Sequence, residues 1–253
     1  MTTVSTGKSP SGKNPLAAAE AADKKRKIAI QVGVAAVLVA LVAAIGIGIA
    51  VKKSDSDTST SAAQLPATGG AVTETGTVVI GNPDAKVKVR VVADLQCPAC
   101  KQFEAANGET LAKAAADGTA SVEYQIISFL DKASTNQYSS RAANASFCVA
   151  KSDTTKYQSW LQTMFEKQPA EGGAGLSNDE LVQIATDVGY TDPAVATCIE
   201  DKPYNDYIQQ VTQTTLQSGV KSTPSVYING QLNQTDAIFT ENGLAPVIAD
   251  AAK

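Results

Sequence analysis

The stretch Asp94-Leu95-Gln96-Cys97-Pro98-Ala99-Cys100 lies where a valine-rich run, Val87 to Ala93, gives way to a helical pattern, Lys101 to Ala116. Pro98 is suited to the first position of a helix, where its missing N–H costs no hydrogen bond. We therefore expect Cys97 at the N-cap, facing free backbone N–H groups and the positive end of the helix dipole. Both favour the thiolate, so the sequence predicts that Cys97 is nucleophilic near neutral pH.

Cys100 follows three residues after Cys97, on the same face of the predicted helix. This spacing allows a Cα–Cα distance of about 5–6 Å, which is within disulfide range. An exposed Cys97 and a shielded Cys100 could then cycle between dithiol and disulfide, the chemistry expected of a strand–CxxC–helix arrangement. A structural disulfide and half of a zinc site are the alternatives.

Asp94 is the acidic residue nearest to the two cysteines, directly after the valine-rich run. Aspartate is common in turns because its side chain bonds to nearby backbone N–H groups. We expect Asp94 to be an exposed turn or capping residue. The alternative is that it relays protons for the cysteines.

The composition excludes several classes of protein. The 253 residues allow one domain plus appendages, and they contain no histidine, which excludes His-based triads, His metal ligands and haem ligation by histidine. Residues 1–53 hold eight basic and two acidic residues, which leaves 13 basic and 23 acidic residues in 54–253, a net charge of −10. An acidic domain without basic patches argues against nucleic-acid binding.

The N-terminal third of the chain predicts a membrane anchor. Residues 1–27 are polar and have no apolar period, as in a disordered cytoplasmic tail, and 28–51 are apolar and long enough to span a bilayer. The basic run Lys24 to Lys27 places the N-terminus inside the cell. Residues 52–75 predict a flexible extracytoplasmic linker. A cleaved signal peptide is the alternative to the transmembrane anchor.

Residues 76–253 are predicted to form one α/β domain with an α-helical insertion at about 132–215. Within the insertion, an apolar stripe at helical spacing predicts core packing, and Ser177 with Glu180 predicts a capping box. The Asn229-Gly230 pair predicts a tight hairpin turn. In chain order the expected elements outside the insertion are strands Val78 to Ile80, Val87 to Ala93 and Ser121 to Ser128, strand Val226 to Ile228, a returning strand within Gln231 to Phe239, and a helix from Glu241 to Ala252.

Two motifs resemble those of the DsbA-like thiol-disulfide oxidoreductases. The first is Cys97-Pro98-Ala99-Cys100-Lys101-Gln102-Phe103-Glu104, which resembles their active-site helix. The second is Ser222-Thr223-Pro224-Ser225-Val226-Tyr227-Ile228-Asn229-Gly230, which resembles their cis-proline loop and following hairpin. The membrane-anchored actinobacterial enzymes of the MdbA type are the closest likeness. The resemblance covers about 76–253 and implies a thioredoxin-like fold with a helical insertion, preceded here by the one predicted transmembrane helix.

The resemblance also implies roles for particular residues. The Thr223–Pro224 bond should be cis and face the Cys97 sulfur, leaving the Thr223 backbone free to bind an extended substrate. An ordinary trans-proline at a strand start is the alternative. Cys148 and Cys198 should form a structural disulfide, with two buried thiols or a four-cysteine metal site as alternatives.

The function that follows is an extracytoplasmic thiol-disulfide oxidoreductase that introduces disulfides into unfolded secreted proteins. The cycle needs no metal and no other cofactor. The resemblance implies reoxidation by a membrane quinone-linked oxidase of the DsbB or vitamin-K-epoxide-reductase-like kind. Strongly oxidising relatives often carry Pro-His where this chain has Pro98-Ala99, so its thiolate must be stabilised by the helix dipole and backbone N–H groups. A reductase of the cytochrome-maturation type and a non-catalytic binding module are the alternatives.

Overall fold

A computed structural model of the protein describes residues 72–253. The predicted cytoplasmic tail, the predicted membrane span and the linker up to residue 71 lie outside the described residues. Within 72–253, no helix combines the length and the apolar character that crossing a bilayer requires.

A five-stranded mixed sheet forms the centre of the domain, with the strand order β1-β3-β2-β4-β5. β2 pairs in parallel with β3, whereas β1 pairs with β3, β4 with β2 and β5 with β4 in the antiparallel sense. The parallel pair needs a crossover, which the helix after β2 provides. The strands are β1 Val78–Ile80, β2 Val87–Ala93, β3 Ala120–Ile126, β4 Ser225–Ile228 and β5 Gln231–Leu232.

Seven α-helices complete the described part of the chain, and five of them lie between β3 and β4, where the helical insertion was predicted. The insertion has a buried centre: Tyr138 to Ala150 of α2 are all buried, as is the predicted apolar stripe on α3. The helices are α1 Pro98–Ala116, α2 Tyr138–Ser152, α3 Tyr157–Glu166, α4 Asn178–Asp187, α5 Pro193–Asp201, α6 Asn205–Gln217 and α7 Leu244–Ala251.

β2 leads directly into the redox motif, and the burial of its residues shows how deep in the domain the motif begins. Lys88 is exposed and Arg90 is half-buried, but from Val91 onward every residue of the strand is buried. One face of the strand is therefore buried along its whole length, and its last three residues are buried on both faces. The strand ends at Ala93, directly before the loop with the cysteines. α1 then begins at Pro98, as the sequence predicts.

The C-terminal hairpin is shorter than predicted. β5 ends at Leu232 and is followed by a 3₁₀ turn, Asp236–Phe239, where a longer returning strand was expected. Asn107 of α1 explains the difference, because its amide nitrogen donates to the carbonyls of Ala237 and Ile238 at 3.3 and 3.0 Å. This segment therefore packs on α1 and does not extend the sheet.

The beginning of the domain also differs from the predicted boundary at residue 76. Val72 is buried and forms a β-bridge with Val78. The Thr73 hydroxyl accepts a hydrogen bond from the Thr77 backbone at 3.1 Å. The last residues of the predicted linker therefore pack against the sheet. The capping box of Ser177 with Glu180 is present at the start of α4, as predicted.

Candidate active site

Cys97 occupies the N-cap of α1, with Pro98 in the first turn. Its backbone N–H donates to the Asp94 carbonyl at 3.0 Å, and its own carbonyl accepts from the Lys101 N–H at 3.2 Å. The side chain does not cap the helix. The sulfur is therefore free for chemistry, at the end of the helix where unpaired N–H groups and the dipole favour negative charge.

The loop before β4 faces the Cys97 sulfur. The Thr223–Pro224 peptide bond is cis. The Cys97 thiol donates to the Thr223 carbonyl with an Sγ–O distance of 3.3 Å. The Thr223 hydroxyl is buried and has no hydrogen-bond partner within the described residues, so it is available to donate to a Cys97 thiolate. The structure thus brings together the four residues that the two motifs single out: Cys97, Cys100, Thr223 and Pro224.

The two thiols differ sharply in acidity. The pKa of Cys97 is lowered to about 6, first because the Cys100 thiol donates to its thiolate and then through Thr223 and the N–H groups of Cys100 and Ala99, which together outweigh burial. The pKa of Cys100 is raised well above its ordinary value, chiefly by burial and then by the same bond to Cys97. At neutral pH a reduced enzyme therefore carries its negative charge on Cys97.

Two expectations about this pair need correction. Cys97 was expected to be exposed, but it is 7% exposed, and Cys100 is fully buried. The cis-proline loop lies against the Cys97 sulfur, with the Thr223 carbonyl at 3.3 Å, and so covers part of it. The helix end was also expected to stabilise the thiolate without help, whereas the Cys100 thiol is the largest cause of the lowered pKa.

Asp94 was expected to be an exposed turn or capping residue, but it is fully buried. Its carboxylate accepts from the Gln96 N–H, the Ser139 hydroxyl and the Leu130 N–H, each at 2.8 Å. Burial raises its pKa to about 6 despite these bonds, and the nearby Cys97 charge adds to the rise. A buried carboxyl with this pKa, next to the reacting thiol, is able to take up and release protons near neutral pH.

Glu104 is a second buried acid that the sequence did not single out. It lies on α1, one turn after Cys100, and accepts from the Gln158 amide at 2.6 Å and from the Tyr124 hydroxyl at 3.3 Å. Burial raises its pKa to about 7. In the sequence, only its position on the same helix face as Cys100, Phe103 and Leu111 indicated that Glu104 is buried.

The second cysteine pair lies in the helical insertion. Cys148 of α2 and Cys198 of α5 form a disulfide with a Cα–Cα distance of 5.8 Å. The Asn144 amide donates to the Cys198 carbonyl at 3.1 Å and holds the same junction. This disulfide ties two helices together and contributes no residue to the loop around Cys97. Among residues 72–253, no group of three or more His, Cys, Asp or Glu side chains is placed to hold a metal ion.

Comparison with protein families and with curated proteins finds one family model and five curated relatives. The family model Thioredoxin_4, described as Thioredoxin, matches residues 73–241, more than half of the chain. The serine/threonine-protein kinase PknE of Mycobacterium tuberculosis (strain ATCC 25618 / H37Rv) is 34% identical over 128 residues, which are 49% of this chain and 22% of the kinase. The match spans about a fifth of the kinase's length, so the kinase's activity is not carried over.

Solved structures give more extensive matches. DsbA of M. tuberculosis in its reduced form is 31% identical, with a TM-score of 0.56, covering 70% of this chain and 97% of that one. The reduced disulfide bond oxidoreductase DsbG of M. tuberculosis is 28% identical, with a TM-score of 0.59, covering 73% and 96%.

The thiol-disulfide oxidoreductase MdbA of Actinomyces oris shares the fold at 17% identity, with a TM-score of 0.60, covering 71% and 88%. The structural neighbours thus include the actinobacterial enzymes that the motifs resemble. Together with the paired thiols and the cis-proline loop, the family model and the matches to M. tuberculosis DsbA and DsbG show that the chain belongs to the thioredoxin family and is a DsbA-like thiol-disulfide oxidoreductase.

Proposed function

We propose that this protein is a membrane-anchored extracytoplasmic oxidase that introduces disulfides into unfolded secreted proteins. The observation that carries the proposal is the place of Cys97 at the N-cap of α1, with the carbonyl of the cis-proline loop at 3.3 Å from its sulfur. In these surroundings the pKa of Cys97 is lowered to about 6 and that of Cys100 is raised. A thiolate stabilised in the reduced enzyme favours the reduced form, which makes the disulfide form an oxidant.

The reaction follows from this difference. A substrate thiolate attacks the Cys97 sulfur of the Cys97–Cys100 disulfide, forming a mixed disulfide and releasing Cys100, which takes up a proton because its pKa is high. A second substrate thiolate attacks the substrate sulfur of the mixed disulfide and releases Cys97 as its stable thiolate. Two electrons pass from the substrate dithiol to the enzyme, so the substrate gains a disulfide and the enzyme becomes a dithiol.

The cis-proline loop is suited to hold the substrate during this exchange. Pro224 has no N–H, and the Thr223 carbonyl, which accepts from the Cys97 thiol at 3.3 Å, is released from that bond when Cys97 is in a disulfide. We infer that it then accepts a backbone N–H from an extended substrate segment. This kind of binding uses the substrate's main chain and does not depend on its side chains, as an enzyme acting on many secreted proteins requires.

The location and the reoxidation partner belong to the same proposal. The apolar residues 28–51, with basic residues before them, would anchor the chain with its N-terminus inside, and 52–75 would tether the domain outside. Secreted proteins emerge there in an oxidising compartment. The reduced enzyme would pass its two electrons to a membrane quinone-linked oxidase of the DsbB or vitamin-K-epoxide-reductase-like kind. Protease added to intact cells should release the domain, and a domain protected until lysis would refute this topology.

The reduction potential of the Cys97–Cys100 couple tests the direction of the reaction. Equilibration with glutathione buffers should give a value well above the roughly −270 mV of thioredoxin, toward the roughly −120 mV of a strongly oxidising DsbA. A value near that of thioredoxin would show that the enzyme is a reductase. A matched Cys148→Ala/Cys198→Ala variant should give the same potential, because that disulfide lies in the helical insertion.

A further inference from the structure

The loop between β2 and α1, Asp94 to Cys97, here called the redox loop, is held by Leu130, which follows β3, and by Ser139 of the helical insertion. The Asp94 carboxylate accepts from the Ser139 hydroxyl at the start of α2 and from the Leu130 N–H. The Gln96 amide donates to the Leu130 carbonyl at 2.8 Å and to the Ser139 hydroxyl at 3.4 Å. These contacts fix the side of the loop that faces α2.

The backbone of the redox loop is also held by one further side chain, that of Gln168. Its amide nitrogen donates to the Leu95 carbonyl and to the Cys97 carbonyl, each at 3.0 Å. Gln168 lies two residues after the end of α3. Its backbone N–H donates to the Phe165 carbonyl at 3.2 Å, and the Phe165 side chain is buried. A single amide in a fixed position thus joins two carbonyls on either side of Gln96.

We propose that Gln168 is a positioning residue for the reacting thiol, which holds the Leu95 and Cys97 carbonyls so that the helix N-terminus stays aimed at the Cys97 sulfur. The inference rests on the proposed role of Cys97 as the reacting thiol. It assigns a part in the chemistry to the helical insertion, from a residue 71 positions away in sequence from Cys97.

The peptide planes at the N-cap connect Gln168 to the Cys97 sulfur. The Cys97 carbonyl belongs to the bond to Pro98, and its other hydrogen bond comes from the Lys101 N–H at 3.2 Å. The orientation of this plane determines where the next two N–H groups, of Ala99 and Cys100, point, and both stabilise the Cys97 thiolate. The Gln168 amide also places its positive N–H end on two carbonyl oxygens whose partial negative charge would otherwise oppose a thiolate nearby. Both effects act on the sulfur without Gln168 touching it.

The variant Gln168→Met tests the proposal, because methionine keeps the length of the side chain and removes the donor. In the reduced full-length protein, the pKa of Cys97 should rise by about half a unit to one unit, the size expected for the loss of a hydrogen-bond contribution. Alkylation at about pH 6 should then slow by about two- to five-fold. Gln168→Glu, which has the same shape but accepts where glutamine donates, should shift the pKa further in the same direction.

Gln162→Met on α3 is the matched control, because the Gln162 amide lies against Gly108 of α1 and not against the redox loop. It should leave the Cys97 titration unchanged. A Gln168→Met protein that titrates like the wild type would overturn the proposal, whether or not its thermal stability changes, since a purely structural role lowers stability without moving the pKa. The test measures the pKa of Cys97 and not the reduction potential, so it can support the role of Gln168 even if the enzyme proves to be a reductase.

Discussion

The molecule contains two cysteine pairs in different surroundings. Cys97 and Cys100 are three residues apart at the start of a helix, where each sulfur has hydrogen-bonding neighbours that change its acidity. Cys148 and Cys198 are 50 residues apart, and their disulfide ties α2 to α5 within the insertion. The chemistry of each pair therefore depends on what surrounds the sulfurs: a helix N-terminus and a cis-proline loop in one case, two packed helices in the other.

Removing the reacting thiol should give the largest effect. Cys97→Ser should lower dithiol oxidation by about a thousand-fold or more, as expected when a nucleophile is lost, since the buried, high-pKa Cys100 is a poor replacement. The measurement is oxidation of a reduced model protein in a redox buffer. Cys148→Ser/Cys198→Ser is the control and should keep most of the activity. Comparable losses in both variants would show that the insertion disulfide relays electrons.

Removing the other pair should affect stability. Cys148→Ala/Cys198→Ala opens a loop closed across 50 residues, and the chain-entropy model gives a loss of about 4 kcal/mol in the free energy of unfolding. Denaturant unfolding of the oxidised proteins measures this loss. Cys97→Ala/Cys100→Ala should cost much less, because its loop is short. A larger loss from the active-site pair would reverse the assignment of structural and redox roles.

A smaller effect on stability is expected from Glu104, the buried acid one turn after Cys100 on α1. Because burial raises the pKa of Glu104 from 4.5 to about 7, the folded state holds this proton more tightly than the unfolded state. The stability from this group is complete below the unfolded pKa and is lost as the pH rises through about 7. Glu104→Gln should therefore gain about 2 kcal/mol over the wild type between about pH 5 and about pH 9.

The exposed Glu109 lies on the same helix, and Glu109→Gln serves as its control. Urea unfolding at the two pH values measures both variants. An unchanged difference between wild type and Glu104→Gln across this range would contradict the pKa shift.

The local features of the site could be predicted from the sequence. A valine-rich strand, a proline in the first helical turn and the CxxC spacing suffice to place Cys97 at an N-cap, since each acts over a few residues. The capping box at Ser177 and the buried stripe on α3 are local in the same sense.

The parts that could not be predicted depend on contacts between distant residues. Asp94 is buried because Leu130 and Ser139, 36 and 45 positions away, donate to its carboxylate. Gln168 reaches Leu95 across 73 positions. A polar side chain with such partners has the same sequence signature as one in solvent. Burial of polar groups therefore has to be learned from the fold.

The titration of the reduced protein tests the central claim most directly, that Cys97 is the stabilised thiolate of the pair. Thiolate absorbance in the ultraviolet should rise with a midpoint near pH 6. Cys100→Ala should move the midpoint upward, because the Cys100 thiol is the main donor to the thiolate, and Cys100→Ser should move it less, because a hydroxyl also donates. Cys97→Ser should abolish the transition. A wild-type midpoint near the ordinary thiol value of about 8.5, or a transition near pH 6 that survives in Cys97→Ser, would contradict the account.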